Sequence, residues 1–335
     1  MKPNRREFIE SATLAIAAGS TLMAQENGSG SIPKRPLGRT GLQVSAIGVG
    51  GYHLGSAKDL SEARAIVDAA IDAGINFFDN AWDYHDGGSE EWLGAALKGK
   101  RDRVVLMTKV CTHGRDKNVA MQMLEESLRR LQTDHLDVWQ IHEVIYDNDP
   151  DLIFRPNGAA EALVQAKKDG KVRFVGFTGH KDPSIHLKML SHDFPFDTVQ
   201  MPLNCLDATF RSFEQQVLPE VNRRGIAALG MKSMGGSGEL VSNGVVTAAE
   251  ALRYAMSLPV AVTISGMESP DVLRQNLETA RGFQPMPPAE MQKLRDRCRF
   301  AASDGRFELF KTTKKYDGDV GRKQHGFPDA SELPA

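Results

Sequence analysis

The chain is short of cysteine: Cys111, Cys205 and Cys298 are the only three among 335 residues, far apart and odd in number. They form no C-x-x-C pair and no thiolate cluster for zinc or iron–sulfur binding, so no metal is expected and the three read as buried core thiols. Net charge is scarce too. With 41 basic and 43 acidic residues interspersed, the formal balance is -2, which leaves no basic stripe for nucleic acid and no broad footprint for an anionic membrane. Nor is there a long hydrophobic run: the apolar, small-residue stretch from Ser11 to Ala24 is too short to span a bilayer, and stable membrane insertion is not expected. A small-molecule partner is what these absences leave.

Just before that stretch stands Asn4-Arg5-Arg6-Glu7-Phe8-Ile9, and a small residue, Ala24, precedes Gln25. Paired arginines, a moderately apolar segment and a small residue at its end together resemble a twin-arginine export signal. Residues 1–24 are therefore set aside as a signal segment and residues 25–33 as a linker rich in Gly, Ser and Asn. The expected location is the periplasm or another exported compartment, with the twin-arginine export machinery as a partner. An ordinary charged tail is the rival reading.

From Lys34 onward, short runs rich in Val, Ile, Phe and Leu alternate with amphipathic stretches. Eight strands are predicted: Ile47 to Gly51, Asn76 to Asp79, Val104 to Lys109, Leu136 to His142, Val172 to Thr178, Thr198 to Met201, Ile226 to Met231 and Val260 to Ser265. They seldom alternate cleanly, as expected of parallel strands covered on both faces. Helices are predicted between them, at Ser61 to Ala73, Asn118 to Leu131 and Gly158 to Asp169, the first and third stopping at a glycine, Gly74 and Gly170. Eight such units without a break in composition predict an α/β fold, a (β/α)8 TIM barrel, with a doubly wound sheet as the structural rival. Lys34 to Val44 reads as an N-terminal hairpin and Pro288 to Ala302 as an extra C-terminal helix. The barrel is thus expected over 34–302, followed by a polar tail over 303–335.

Barrel proteins place reacting groups at the C-terminal ends of their strands. The second, third and fourth runs end in Asp79, Lys109 and His142, each separated from the next by about one strand–helix unit, so the three side chains are expected to stand together at one mouth. Tyr84 follows Asp79 in a loop ahead of the helix opened by Ser89, and leans over the same mouth. A tyrosine hydroxyl titrates near 10, too high for easy proton exchange at neutral pH. The ammonium of Lys109 is expected to lower that value, Asp79 to keep the lysine charged, and His142 to orient a carbonyl oxygen on which negative charge develops. Taken singly, each residue has a structural explanation: an ion pair, a core histidine, a loop aromatic.

In order along the chain, the pieces Arg35-Pro36-Leu37-Gly38-Arg39-Thr40-Gly41-Leu42, Phe78-Asp79-Asn80-Ala81 with Tyr84, Ser89-Glu90-Glu91-Trp92-Leu93-Gly94, Lys109, Asp137-Val138-Trp139-Gln140-Ile141-His142, and Gln200 with Asn204 closely resemble the aldo-keto reductase family over Lys34 to Arg281. The resemblance implies reduction of an aldehyde or ketone, or oxidation of the alcohol, by hydride transfer with NAD(P)H and without metal, with Tyr84 as general acid/base. It also implies a cofactor site that includes Gly51 and Tyr52 after the first strand, Thr178 and Gln200 at the carboxamide, and Met231 with Lys232 after the seventh strand. Two positions depart from the family pattern: Gly179 stands where an Asn is usual, with His180 beside it, and Met231 where an aromatic residue usually stacks. Gly235 opens a glycine-rich loop that suits the pyrophosphate, or is a plain flexible loop. Near the adenosine end, Gly266 and Glu268 replace the basic or hydroxyl groups usual for a 2′-phosphate, while Gln275 and Asn276 are assigned to the adenine. Arg274 is the nearby cation, or simply faces solvent. Preference is expected to shift from NADPH toward NADH. The run Glu143 to Asn157 hints at a sugar-like carbonyl substrate, or is a solvated loop. The functional rival is a cofactor-holding redox sensor or regulatory subunit with little turnover.

Overall fold

The structure, a computed structural model, describes residues 30–333; the expected signal segment at 1–24 lies outside the described residues. Two short antiparallel strands, β1 (Lys34–Pro36) and β2 (Gln43–Ser45), precede eight strands: β3 (Ile47–Gly50), β4 (Phe77–Asp79), β5 (Val105–Val110), β6 (Leu136–Ile141), β7 (Val172–Thr178), β8 (Thr198–Pro202), β9 (Ala227–Met231) and β10 (Val262–Gly266). These eight are parallel in sequence order and close on themselves, with Thr263 to Gly266 of β10 in register with Ile47 to Gly50 of β3. Closure rules out the doubly wound sheet and leaves the barrel no free edge.

In two of the helices an apolar stripe and a side-chain cap coincide. Leu60–Asp72 buries Ala63, Ile66, Val67, Ala70 and Ile71 against the strands and starts at Asp59, whose carboxylate accepts from Glu62 N. Lys117–Arg130 starts in the same way at Asp116, which accepts from the backbone N–H of Asn118 and Val119. Packing lies in two layers. An outer layer joins strands to helices, and an inner cluster fills the barrel and includes Phe77, Val105, Met107, Val138, Leu229 and Val262. Leu37 and Val44 of the hairpin belong to that inner cluster, so the hairpin plugs the N-terminal end of the barrel. The turn needs glycine there: Gly38 has φ +54, and a Cβ would come within 2.7 Å of Ala227 N. With the bottom plugged, the C-terminal mouth is the end left to receive a ligand.

The expected extra helix spans Pro288–Cys298. The tail beyond it is more than polar solvent-facing chain. Lys311 is fully buried between Asp207 (2.6 Å) and Glu308 (3.0 Å), and Asp317 pairs with Lys181 at 2.6 Å. Gly318 N donates to Glu143 Oε2 at 2.9 Å, and Tyr146 packs against the rings of His325 and Phe327. These contacts draw the tail across the C-terminal mouth. Among the described residues, no helix is long and apolar enough to cross a membrane.

Candidate active site at the C-terminal mouth

Asp79 ends β4, Lys109 is the penultimate residue of β5 and His142 follows β6 directly, so the strand register brings the three together. Lys109 Nζ lies 2.5 Å from Asp79 Oδ1, donates to Asn80 O at 2.7 Å and to the Tyr84 hydroxyl at 3.3 Å. Two of the three ammonium protons are thus donated, and Asp79 holds the charge as an ion pair. The same Nζ sits 4.8 Å from the centroid of the Tyr84 ring. That ring is wedged edge-on between Tyr52 (centroids 5.5 Å apart) and His142 (5.6 Å). The chain leaves the tyrosine through His85 (φ 53°) and Asp86 (φ 54°), two non-glycine residues in the left-handed region. Strain of this kind is held only where the surroundings impose it.

One electrostatic expectation is overturned. The Tyr84 hydroxyl is held well above its ordinary value, first by burial and then by the negative charges of Asp79, Asp83 and Glu143. Lys109 does not pull it down because Asp79 already balances the ammonium, so the phenol sees an ion pair rather than a bare cation. The hydroxyl is kept as a proton donor.

Behind the tyrosine lies a group of side chains that the sequence did not reveal. His142 Nδ1 is 3.1 Å from Asp83 Oδ1 and 3.6 Å from Cys111 Sγ. Cys111 Sγ is 3.4 Å from His113 Nε2, which in turn lies 3.3 Å from Glu143 Oε2. Burial alone would raise the Asp83 carboxyl, but the charge and hydrogen bond of His142 outweigh it and hold it at about 2. Burial and the charges of Asp83 and Glu143 push the Cys111 thiol well above its usual value, so it stays a thiol. The sequence showed no gathering of metal-ligating side chains, yet Asp83, Cys111 and His142, and Cys111, His113 and Glu143, lie within mutual reach of an ion. Here they partner one another. Arg115, fully buried, fixes the backbone beneath them by donating to His142 O at 2.8 Å and Glu143 O at 2.6 Å.

The mouth opens into a cavity of about 1320 Å³. Its wall includes Gly51, Tyr52, Asp79, Tyr84, His142, Thr178, Gln200, Met231, Lys232, Gly266, Glu268, Gln275 and Asn276, and omits Gly179 and Gly235. Gly179 is packed away from the cavity: a Cβ there would stand 2.2 Å from Val144 O and 2.9 Å from the His186 ring. Gly235 is turned against the tail, where a Cβ would meet Phe307 O at 2.6 Å, and Gly236, Ser237 and Gly238 form the wall instead. Four buried polar atoms around the cavity have no hydrogen-bond partner: Asp79 Oδ1, which has the ion pair with Lys109, and Thr178 Oγ1, His180 Nε2 and Gln200 Oε1. Buried polar atoms are rarely left so, and a hydroxyl, an imidazole nitrogen and an amide oxygen together offer the donor and acceptors that a carboxamide needs. At the other end Asn276 Nδ2 donates to Gly266 O at 2.9 Å and Ser265 Oγ at 3.2 Å, which commits its amide protons to the loop. Arg274 is paired with Asp271 at 2.9 Å on the exposed side of its helix and is absent from the cavity wall.

Sequence reasoning missed Asp83, His113 and the whole contribution of the tail, while His180, singled out beside Gly179, does stand in the wall. Asp83 stands immediately before Tyr84. In the tail, Phe307, Phe310, Tyr316 and Phe327 are too many aromatic residues for a solvated tail, and that signal was available.

A closed parallel barrel whose C-terminal mouth joins a lysine–aspartate pair to a half-buried tyrosine and an adjacent histidine defines a class of barrel proteins built for proton transfer beside a large ligand. The model of the Aldo/keto reductase family matches residues 46–242, and the chain belongs to that family. It is 30% identical over 204 residues to the aldo-keto reductase YhdN of Bacillus subtilis, covering 57% of this chain and 58% of that protein. It is 35% identical over 160 residues to L-galactose dehydrogenase of Arabidopsis thaliana, covering 44% of this chain and 49% of that protein. The chain therefore spans about half the length of these curated relatives. Its fold is similar to that of an aldo-keto reductase from Bacillus halodurans in its holo form, with a TM-score of 0.68 and 25% identity over 79% of this chain and 96% of that one.

Proposed function

We propose that the protein is an NAD(P)H-dependent carbonyl reductase in which Tyr84 is the proton donor. The observation that carries this is the Lys109 ammonium, which lies 2.5 Å from Asp79 Oδ1 and donates to Asn80 O and the Tyr84 hydroxyl at the floor of a cavity large enough for a dinucleotide and a substrate. The unpartnered atoms of Thr178, His180 and Gln200 fit a carboxamide, so these residues would hold the nicotinamide end, with Gly51, Tyr52, Met231 and the Gly236–Gly238 loop along its length. When bound, the nicotinamide supplies the hydride.

The chain's own part is to receive the charge that then develops on the carbonyl oxygen. Tyr84 gives its proton to that oxygen, and the phenolate left behind is met by Lys109 Nζ, already 3.3 Å away. Asp79 keeps Lys109 charged while that happens. Asp83 Oδ1, 3.1 Å from His142 Nδ1, fixes the ring in the cavity wall, where it would orient the substrate oxygen. A hydroxyl held above its ordinary value gives up its proton to a strongly basic acceptor such as an alkoxide.

Among the described residues, Arg274 is paired with Asp271 and Arg253, the arginine in the cavity wall, with Glu290 at 2.7 Å, which leaves Glu268 and no unpaired arginine at the expected 2′-position. This supports use of NADH. A polar mouth around Glu143 supports a sugar-like carbonyl substrate. The arginine pair and apolar stretch of residues 1–24 support export by the twin-arginine route to the periplasm or its equivalent; an empty periplasmic fraction after Arg5→Lys with Arg6→Lys, and a full one before, is the expected result.

Tyr84→Phe tests the main reading. Turnover of NAD(P)H with a panel of aldehydes should fall by roughly 10²- to 10⁴-fold, the usual contribution of a positioned acid. Equal turnover in the variant and the parent protein would remove Tyr84 from the chemistry and return the chain to the sensor reading.

A further inference from the structure

The ammonium of Lys232, the residue after β9, faces the cavity without a hydrogen bond or ion pair among the described residues. Phe310 and Tyr316, both from the tail, present their rings to it, each centroid 5.5 Å from Nζ. The backbone that aims it is costly: Lys232 has φ 55°, and its carbonyl is pinned by Gly235 N at 2.9 Å and Asn204 Nδ2 at 3.4 Å. A non-glycine residue held in that region by two hydrogen bonds is a position imposed for a reason.

The charged groups that face this ammonium do not satisfy it. Lys109 and Asp79 are paired with each other, and Glu143 is taken by Gly318 N and His113. Asp317, in the tail beside it, is taken by Lys181. His53 and His180 both feel the Lys232 charge, and burial pushes both toward the neutral form. A cation left unpaired in a cavity wall is a receptor for an anion, and two aromatic rings beside it suit the carbon skeleton that carries that anion.

We infer that Lys232 recognises a carboxylate on the substrate, which makes the substrate class an acidic carbonyl compound of the sugar-acid or oxo-acid type. This rests on the reductase reading and deepens it, because Lys232 then selects which carbonyl reaches Tyr84. It also moves Lys232 from the cofactor to the substrate side of the cavity, the side the tail covers.

Matched pairs test it: D-glucuronate against D-glucose, and succinic semialdehyde against butanal. The parent protein should favour the acid of each pair by about 10- to 100-fold in kcat/KM, the worth of one charge-assisted hydrogen bond. Lys232→Met should collapse that ratio and Lys232→Arg should keep most of it. Burial, with the charge of Lys109, pushes the Lys232 ammonium down to about 8 although Glu143 opposes it, so the acid preference of the parent protein should hold below that pH and fade above it. Equal rates for acid and neutral partners would overturn the inference. So would a Lys232→Met protein that loses NADH affinity tenfold with its acid preference intact, for then the lysine belongs to the cofactor. Calorimetric binding of D-gluconate against D-glucitol makes the same comparison without turnover: gluconate should bind the parent tighter, and Lys232→Met should lose that difference. An absence of reductase activity would therefore sink the earlier reading while this one was still decided by gluconate.

Discussion

Replacing Lys311 by methionine removes the pin that holds the tail over the mouth. Lys311 Nζ is shared by Asp207 Oδ1 (2.6 Å), Glu308 Oε2 (3.0 Å) and Phe210 O (2.8 Å), with all three side chains essentially unexposed. Breaking a buried ion pair from one side costs about 3–5 kcal/mol because the partner is left charged and dry. The loss should lie near the lower figure, since Asp207 keeps the N–H of Phe213 and Glu214 and Glu308 keeps Asn204 Nδ2. About 3 kcal/mol corresponds to a fall in melting temperature of roughly 6 °C for a domain of this size. Burial already pushes both carboxyls up, with Lys311 opposing, and without the lysine they rise further. The unfolded chain gives up those protons at lower pH than the folded one, so the deficit should be small near about pH 4 and grow as the pH rises through the raised folded values. Urea unfolding of the parent and of Lys311→Met at several pH values reads both the size and the slope. Because Phe310 is the next residue and carries one ring of the Lys232 cage, KM for acidic substrates should rise in the same variant. Adding Asp207→Asn and Glu308→Gln should recover most of the stability by removing the stranded charges. A Lys311→Met protein within about 1 kcal/mol of the parent at neutral pH would refute the idea that this triad anchors the tail.

Three further outcomes follow from the same contacts. Asp83→Asn should lower kcat by about tenfold or more and Asp83→Glu should recover part of it, as for the carboxylate that orients a catalytic histidine; an unchanged rate and pH profile would remove Asp83 as a positioning residue. Because the Asp83 carboxyl is held at about 2, below its value in the unfolded chain, it also contributes stability that is present above about pH 4 and lost as the pH falls toward 2, seen as a smaller acid-induced deficit in the Asn variant. Gly179→Ala should cost about 1–3 kcal/mol in urea unfolding, because its Cβ would meet the Val144 carbonyl oxygen, which is backbone and cannot swing aside. Calorimetry should find NADPH no tighter than NADH; a tenfold advantage for NADPH would show that a cation other than Arg274 reaches the 2′-phosphate.

The barrel was legible because its signal is local and repeated. Each strand is a short apolar run, several helices carry their own cap, and the spacing of Asp79, Lys109 and His142 along successive units places them side by side whatever the loops do. What stayed hidden depends on contacts between residues far apart in the chain. Gly318 against Glu143, Lys181 against Asp317 and Lys311 against Asp207 join the tail to loops more than a hundred residues earlier, and no periodicity marks them. Charge balance was hidden for the same reason. That Lys109 stands near Tyr84 could be read from spacing; that Asp79, Asp83 and Glu143 together outweigh it required the burial and the distances.

Gly179 and Met231 looked in the sequence like damage to the nicotinamide end of the site, and the packing gives the first of them a different meaning. An asparagine at 179 has no room, since even a methyl would press on Val144 O and the His186 ring, so the backbone at that point is committed to the outer packing. The polar function passes one residue along. His180 carries a buried, unpartnered Nε2 on the cavity side, and burial together with the charge of Lys232 keeps its ring neutral, able to accept from an amide. On the proposed reading of Lys232, the cation that selects an acidic substrate is also, after burial, the second cause of the neutral His180 ring.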